Sequence, residues 1–228
     1  SEHLLALIND ILDISKIEAG RVVLTHSEFD IYRLLDELQQ MFSRTISEKN
    51  LQLVVDRSYS LPRVIYSDRL KLRQILINLL DNAIKFTETG GVHIAVLSNA
   101  VKFTEDGSIT LAVSTSAVSP SVTSDNSEST VASSESSMDD DSKVTLTFSI
   151  TDTGTGIAPN DQTRLFEAFV QTESGLTAHE GTGLGLTISY EYIQLLGGEL
   201  TVRSSLGKGA TFAFSIEVNA VEGVSIEP

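Results

Sequence analysis

The sequence predicts an α/β protein, a two-layer sandwich in which a mixed sheet carries helices on one face. Segments with the period of a helix alternate with short β-branched segments, and the last two strand-like segments are close enough in sequence to form an antiparallel pair. Of the 228 residues, 41% are hydrophobic, which is enough to build the core of one large or two small domains. A separate helix precedes the predicted sandwich.

The charge balance and the cysteine count exclude several classes of function. The chain has 31 acidic and 16 basic residues, for a net charge of −15, so we expect no nucleic acid partner. No segment approaches the roughly 20 apolar residues that span a bilayer, so we expect no membrane contact by this fragment. The absence of cysteine suits a reducing compartment, and we expect a cytoplasmic location, although the intact protein could be anchored in a membrane upstream.

The first 18 residues predict a helix that is apolar on two flanks, and such a helix requires two neighbours. Its two stripes are formed by Leu4, Leu7, Ile11 and Ile14 and by Leu5, Ile8 and Leu12. Gly20 supplies a stop signal. Because residues 1–20 are too few to make a domain, we interpret them as the end of a helical hairpin from a dimeric bundle.

A second helix is predicted from Asp30, a good N-cap residue, to about Glu48. Its apolar face consists of Ile31, Leu34, Leu35, Leu38, Met41 and Phe42. The segments LQLVVD at 51–56 and RVIY at 63–66 then predict two strands separated by a turn.

A third helix, from Asp68 to Phe86, has one apolar face and one polar face. The apolar face contains Leu72, Leu76, Leu79, Ala83 and Phe86, and the polar face contains Lys71, Gln74, Asn78, Asn82 and Lys85. Two Asn residues one turn apart are poor helix formers but good ligands. If the helix stood alone, an ordinary solvated face would be the simpler interpretation.

Strands are predicted at 92–97 and 143–151, and the residues between them have a different composition. The stretch 114–142 contains 12 serines and 6 acidic residues among 29, with no Lys or Arg, and we expect it to be a mobile surface insertion. Residues 82–96 and 99–113 form an internal repeat that is identical at nine of fifteen positions. We interpret Asn99 and Lys102 as a second copy without function, whose strand could compete with the first copy or add beside it.

Beyond Asp152 the sequence predicts a glycine turn, a short helix at 161–169 and a polar loop to Gly181. A helix over 182–196 and the strand pair ELTVRS and ATFAFSIEV complete the prediction. Glycines allow backbone N–H groups to approach phosphates, especially at the start of a helix. Each glycine cluster is weak support by itself, and neither the dinucleotide fingerprint nor a GxxxxGK[ST] loop is present.

Taken in order, NLLDNAIKFT, DTGTGI, LFEAFVQ, GTGLGL and GKGATFAF closely resemble the sequence boxes of sensor histidine kinase catalytic domains. The resemblance covers residues 29–218 apart from an insertion at 98–142, and leaves 219–228 as a tail or linker. Residues 1–20 resemble the end of the dimerisation and phosphoacceptor helix of hybrid-type kinases. The resemblance implies a Bergerat-type ATP-binding fold, which gyrase, chaperone and mismatch-repair ATPases share.

The resemblance also implies roles for individual residues. Asn82 would bind Mg²⁺, Asn78 would lie beside it, Lys85 would reach the phosphates of ATP, and Asp152 would accept a hydrogen bond from adenine. Backbone would approach the nucleotide at Gly154, Gly156, Gly181, Thr182, Gly183, Leu184 and Gly185. A lid at 171–180 would be anchored by Phe166 and Phe169, which are equally explained as core aromatics, and Thr211 would add a contact near the base.

The implied function is transfer of the γ-phosphoryl group of Mg-ATP to a histidine, followed by relay to the aspartate of a receiver domain. The related hydrolases place a Glu where Asn78 stands, and an amide cannot act as the general base that activates water. The alternatives left open are an ATP-hydrolysing switch and a nucleotide-binding module without kinase activity. The phosphoacceptor motif is missing around all four histidines, His3, His26, His93 and His179, so we expect no autophosphorylation by this fragment alone.

Overall fold

The computed structural model describes residues 2–98, 143–168 and 182–221. The helices of this part are Glu2–Glu18 (α1), Ile31–Glu48 (α2), Arg69–Phe86 (α3), Pro159–Gln162 (α4) and Gly185–Leu195 (α5). The strands are Ser27–Asp30 (β1), Gln52–Arg57 (β2), Val64–Ser67 (β3), Gly91–Ser98 (β4), Lys143–Asp152 (β5), Glu199–Ser204 (β6) and Ala210–Ala220 (β7). The internal repeat copy at 99–113 and most of the predicted insertion lie outside the described residues.

The seven strands form one mixed sheet in the order β1-β3-β7-β5-β4-β2, with β6 also paired to β7. The pairing of β2 with β4 is parallel, and the other described pairs are antiparallel. One edge of β7 pairs with β5, while its other edge pairs with β6 and then, through Asn219 and Ala220, with β3. The predicted α/β sandwich with a mixed sheet is confirmed.

Alternate residues of the central strands point to the helices and form the core. Phe148 of β5 and Phe214 of β7 are fully buried and stack with ring centroids 4.7 Å apart. Ile150 lies on the same face as Phe148 and is also buried, whereas Thr147 and Ser215 point to the opposite face, where their hydroxyl groups are 2.9 Å apart. The two faces of β5 therefore separate the core from a hydroxyl-rich surface.

The starts of α2 and α3 follow from their capping residues, as the sequence predicts. Asp30 accepts a hydrogen bond from the backbone N–H of Arg33 at 3.1 Å, and Asp68 accepts one from Lys71 at 3.0 Å. The predicted apolar face of α2 is buried with one exception, because Met41 is 43% exposed. Ile46, one turn beyond Phe42, is buried instead.

Several boundaries differ from the sequence-based expectations. The predicted helix at 161–169 is limited to α4, and the following turns use bonds between residues three apart, such as Arg164 N to Asp161 O. The start of α5 is Gly185 rather than residue 182, because Gly183 has a φ of +70°, which is outside the helical range. Phe86 is only half-buried.

Three strand features were not expected from the sequence. β1 is an additional short strand that pairs with β3, and the strands β2 and β3 do not pair with each other. The last strand continues to Ala220, so residues 219 and 220 of the expected tail belong to the sheet. No helix in the described residues is both long and apolar enough to cross a membrane.

Candidate functional site

The end of β5 places one buried carboxylate beside a glycine turn. Asp152 is 5% exposed, and its Oδ1 accepts hydrogen bonds from the backbone N–H groups of Gly154 at 2.9 Å and Ala210 at 3.2 Å. Burial raises the pKa of this carboxyl, although the two backbone hydrogen bonds oppose that change. No described residue donates a hydrogen bond to Oδ2, so this atom can still accept one from a ligand.

The turn after Asp152 requires glycine because backbone atoms press against it. A Cβ atom at Gly154 would lie 2.3 Å from the carbonyl oxygen of Phe86, at the end of α3. A Cβ atom at Gly156, where φ is +69°, would lie 2.0 Å from the carbonyl oxygen of Ser205. The turn is thus held between α3 and the loop that connects β6 to β7.

Asn78 of α3 faces the first turn of α5. Its Nδ2 donates to the carbonyl oxygen of Gly185 at 3.0 Å and to the hydroxyl of Ser189 at 3.2 Å. Its Oδ1 accepts a hydrogen bond from Gln74 at 3.0 Å. The polar face that the sequence assigns to α3 is therefore partly an interhelical contact.

Asn82 and Lys85 follow one and two turns later on the same face. Asn82 is half-buried, and its side chain forms no hydrogen bond with any described residue. The Lys85 ammonium group is 5.1 Å from the ring centroid of Phe86. Lys49, which the sequence analysis did not single out, donates to the carbonyl oxygens of Ile84 at 2.9 Å and Lys85 at 3.2 Å. It adds a positive charge at the C-terminal end of α3.

The second glycine segment leads into α5 and also contacts α1. The hydroxyl of Thr182 accepts a hydrogen bond from Leu184 N at 3.2 Å and donates to Asp10 of α1 at 3.0 Å. The Leu184 side chain is fully buried, so only its backbone is available to a ligand. Burial raises the pKa of Asp10. Gly181 and the predicted lid at 171–180 lie outside the described residues.

Thr211 is not on the side of the sheet that carries Asp152. It pairs with Thr151 in the β5–β7 register, and their hydroxyl groups are 3.0 Å apart. Because successive side chains of β5 point to opposite faces, Thr151 and Thr211 lie on the face opposite Asp152. The expected contact of Thr211 near the base stays a prediction, and the Thr211 side chain points away from the face that carries Asp152. The neighbouring Ala210 contacts the site instead, through its backbone N–H.

Phe166 stacks on Tyr190 of α5, with ring centroids 5.3 Å apart, while Phe169 lies outside the described residues. Within the described ranges there is no group of three or more His, Asp or Glu side chains that could hold a metal ion. A hard cation would therefore require ligands of another kind, such as the amide oxygen of Asn82. The available acceptors at Asp152 and Asn82, with a glycine turn between β5 and α3, fit an adenine nucleotide and its cation.

The fold and the arrangement around Asp152 define an ATP-binding catalytic domain. The chain belongs to the histidine kinase-, DNA gyrase B- and HSP90-like ATPase family, whose model matches residues 67–220. This match begins at the end of β3 and extends to the end of β7, so it includes Asn78, Asn82, Lys85, Asp152 and both glycine segments, but not Asp10 or Lys49.

Its relatives narrow the class to histidine kinases. The chain is 33% identical to the signal transduction histidine-protein kinase BarA of Escherichia coli, over 100% of this chain and 21% of BarA. It is 32% identical to the autoinducer 2 sensor kinase/phosphatase LuxQ of Vibrio cholerae, over 97% of this chain and 21% of LuxQ. The chain thus spans about a fifth of the length of these curated relatives.

A solved structure supports the same class. The crystal structure of full-length ShkA in complex with AMPPNP superposes with a TM-score of 0.69 and 31% sequence identity, and the match covers 97% of this chain and 37% of ShkA. This chain is therefore a catalytic domain homologous to those of sensor histidine kinases.

Proposed function

We propose that this chain binds Mg-ATP between α3, the glycine turn at 154–156 and the start of α5, and transfers the γ-phosphoryl group to a histidine. The observation that carries the proposal is Asp152, a buried carboxylate whose Oδ1 is held by two backbone N–H groups while Oδ2 has no donor among the described residues. Oδ2 is not among the fully enclosed atoms that lack a partner, so a donor from a ligand can reach it. The amino group of adenine is such a donor.

This arrangement would also select the base. Adenine presents an amino group to Oδ2, whereas guanine carries a carbonyl oxygen at the same ring position. Two acceptors facing each other in a site of low dielectric repel, so guanine nucleotides would bind more weakly. Because Gly154 and Gly156 have no side chain, the turn can pass close to the end of α3 and to the β6–β7 loop, beside the proposed position of the base.

The phosphate end would be held by α3 and by the second glycine segment. Asn82 would supply an amide oxygen to Mg²⁺, which would neutralise phosphate charge when bound. Lys85 would contact the phosphates, and Gly181, Thr182, Gly183, Leu184 and Gly185 would offer backbone N–H groups near the N-terminal end of α5.

Phosphoryl transfer to protein is favoured over hydrolysis by the residue at position 78. An amide at this position cannot accept a proton from water, so a water molecule near the γ-phosphate would lack a general base there. The histidine nitrogen would form its bond to phosphorus as the bond to the β–γ bridging oxygen breaks and ADP departs.

The acceptor histidine would belong to a helical hairpin beyond this sequence. On α1, Ile8, Ile11 and Leu12 are between 42% and 50% exposed, which supports a helix that packs against another helix in a homodimer. We further propose that the phosphoryl group passes to the aspartate of a receiver domain and that the protein acts in the cytoplasm.

Calorimetry with ATP and GTP tests the site. We expect wild type to bind ATP in preference to GTP, and Asp152→Ala and Asn82→Ala to weaken ATP binding by tenfold or more, on the order of a charge-assisted hydrogen bond or a metal ligand. Ser149→Ala, on the opposite face of β5, is the matched control and should bind ATP like wild type. Unchanged affinity in both site variants would refute the assignment.

Enzyme assays separate the kinase from the alternatives. The chain should phosphorylate an added histidine-containing helical hairpin while turning over little ATP by itself. Steady hydrolysis by the chain alone would favour the switch ATPase, and binding without transfer would favour a nucleotide-binding module without kinase activity.

A further inference from the structure

The side chain of Asn78 connects the two helices that border the proposed phosphate site. It projects from the middle of α3 and contacts Gly185, the first residue of α5, and Ser189, one turn later. Asn82 lies one turn further along α3, and the glycine segment lies immediately before Gly185. The distance between these two parts of the site therefore depends on the Asn78 contact.

The hydrogen bonds fix which atom of the amide faces α5. The carbonyl oxygen of Gly185 can only accept, so the atom that faces it must be Nδ2. The Ser189 hydroxyl donates to the same carbonyl oxygen at 2.9 Å and is thereby free to accept from Nδ2. Gln74 donates to Oδ1 from the other side. Each donor in this group meets an acceptor.

Ser189 has no other function that the structure shows. Its side chain is fully buried, and both of its hydrogen bonds belong to this group. Burying a hydroxyl group costs free energy unless the group forms hydrogen bonds, and here those bonds are made to Asn78 and Gly185. Gln74 is half-buried, and its side chain donates a hydrogen bond to Asn78.

We propose that Asn78 is a positioning residue, which acts on the nucleotide through Gly185, and that Ser189 and Gln74 hold its amide in the required orientation. This inference rests on the proposed function and changes one role within it. The resemblance places Asn78 beside Asn82 as part of the catalytic set. In the structure, however, the amide group of Asn78 is hydrogen-bonded to Gly185 and Ser189 of α5. Two residues outside the recognised sequence boxes, Gln74 and Ser189, thereby become part of the site.

Replacing Asn78 by Asp separates positioning from metal binding. A carboxylate is a better ligand for Mg²⁺ than an amide, so Asn78→Asp would keep or increase Mg²⁺-dependent ADP affinity if residue 78 were a ligand. A carboxylate cannot donate to Gly185 or Ser189, and it would place negative charge against a carbonyl oxygen. If residue 78 is a positioning residue, ADP affinity falls about tenfold both with Mg²⁺ and with a chelator present.

Ser189→Ala tests the hydroxyl group that accepts the second hydrogen bond of the Asn78 amide. It removes one acceptor of Nδ2 without touching the nucleotide, and we expect ADP affinity to fall about fivefold. Ser189→Thr keeps the hydroxyl and should restore most of the affinity. Ser98→Ala, another buried serine at the end of β4, is the matched control and should leave ADP binding unchanged.

Hydrogen exchange in the nucleotide-free protein provides a readout that does not depend on ligand. We expect faster exchange of the amides at 185–189 in Asn78→Asp and Ser189→Ala, and wild-type exchange in Ser98→Ala. Unchanged exchange in both site variants, or Mg²⁺-dependent affinity maintained in Asn78→Asp, would overturn the inference. Failure of the proposed function has a different signature, since wild type would then bind no ADP while the exchange differences persist.

Discussion

The two glycine segments look alike in sequence but differ in what the fold requires of them. At Gly156, the backbone of the neighbouring loop leaves no space for a Cβ atom, which would lie 2.0 Å from the carbonyl oxygen of Ser205. At Gly185, the nearest atom to a Cβ would be Cγ of Asn78 at 3.6 Å, an ordinary van der Waals distance. Gly156 is needed to fold the protein, whereas Gly185 has space for a side chain, although Gly183 in the same segment has a φ of +70° that favours glycine.

This difference separates two reasons for a glycine. In the turn after Asp152, glycine is explained by packing within the protein, whether or not a ligand binds. At the start of α5, packing does not require it, so the explanation shifts to what approaches from outside, and a phosphate group close to the backbone is such a neighbour. Substitutions in the two segments should therefore change different measurements.

The largest expected effect is that of Gly156→Ala on stability. The new methyl group would collide with backbone and the residue would hold a left-handed conformation, so the free energy of unfolding should fall by about 3 kcal/mol or more. Urea denaturation measures this change. Gly207→Ala is the matched control, since φ is +73° but no atom lies within 4 Å of its Cβ, and it should lose only about 1 kcal/mol. Equal losses in both variants would contradict the packing argument.

Asp152→Asn should affect binding and stability in opposite directions. We expect ATP affinity to fall about tenfold, because the charged acceptor for the adenine amino group is lost. Burial raises the pKa of Asp152 above its ordinary value of 3.8, so this carboxyl contributes its stabilising effect at low pH and loses it as the pH rises through the raised pKa. The uncharged variant should therefore have the higher free energy of unfolding at neutral pH.

The pH dependence provides the control for that prediction. As the pH falls through the raised pKa of Asp152 towards the ordinary value of 3.8, wild type protonates this carboxyl and the stability advantage of Asp152→Asn should shrink. Urea denaturation of both proteins at several pH values measures the difference, in which the other titrating groups cancel. A variant less stable than wild type at neutral pH would show that the first glycine turn depends on the charge itself.

Gly185→Ala should raise the free energy of unfolding, whereas Gly156→Ala should lower it. Alanine in the first turn of α5 restricts the unfolded chain and meets no close atom, so the free energy of unfolding should rise by up to about 1 kcal/mol. ADP affinity should nevertheless fall, because the methyl group would occupy space that the proposed phosphate group needs. Thermal unfolding and calorimetry on one preparation measure both, and a loss of stability would mean that the two segments do not differ as described.

The smallest effect is expected where the second segment contacts α1. Asp10→Ala removes the acceptor of the Thr182 hydroxyl, which also caps Leu184 N. One partly exposed hydrogen bond is worth about 1 kcal/mol or less, so global stability should hardly change. Hydrogen exchange should show faster opening at 182–185 but not at 152–156, and Asn9→Ala, an exposed position on the same helix, is the comparison variant.

The elements with clear local signals were predictable from the sequence. Asp30 and Asp68 are capping residues followed by regular apolar spacing, and both helices begin directly after them. The strand β1 was missed because only Phe29 of its four residues is buried, so the segment shows no alternation. The helix predicted over 161–169 is longer than the observed one. The turns after α4, whose hydrogen bonds join residues three apart, bury Leu165 as a helix would, so the apolar spacing does not separate the two.

The sequence predicts the site as a set of residues, but it does not predict the contacts that those residues make. The spacing of Asn78 and Asn82 places them on one face of α3, but it contains no information on which helix packs there. The resemblance to the family places Thr211 near the base, and only the register of β5 with β7 shows that its side chain points to the face opposite Asp152. Ser189 carried no signal of its own, since one serine in an apolar helix is unremarkable until its partners are known.

The position of β7 has a consequence for how the protein folds during synthesis. Among the described strands it is the last to leave the ribosome, yet it is the one that joins β3 on one edge to β5 on the other. Until residues 210–220 are available, the β1–β3 pair and the β2–β4–β5 group share no strand. Contacts as distant in sequence as Ile65 with Ala220 slow folding. Until then, the nascent chain exposes strand edges whose backbone groups are unpaired. Intermediates of this kind are prone to aggregation, and chaperones protect them from it.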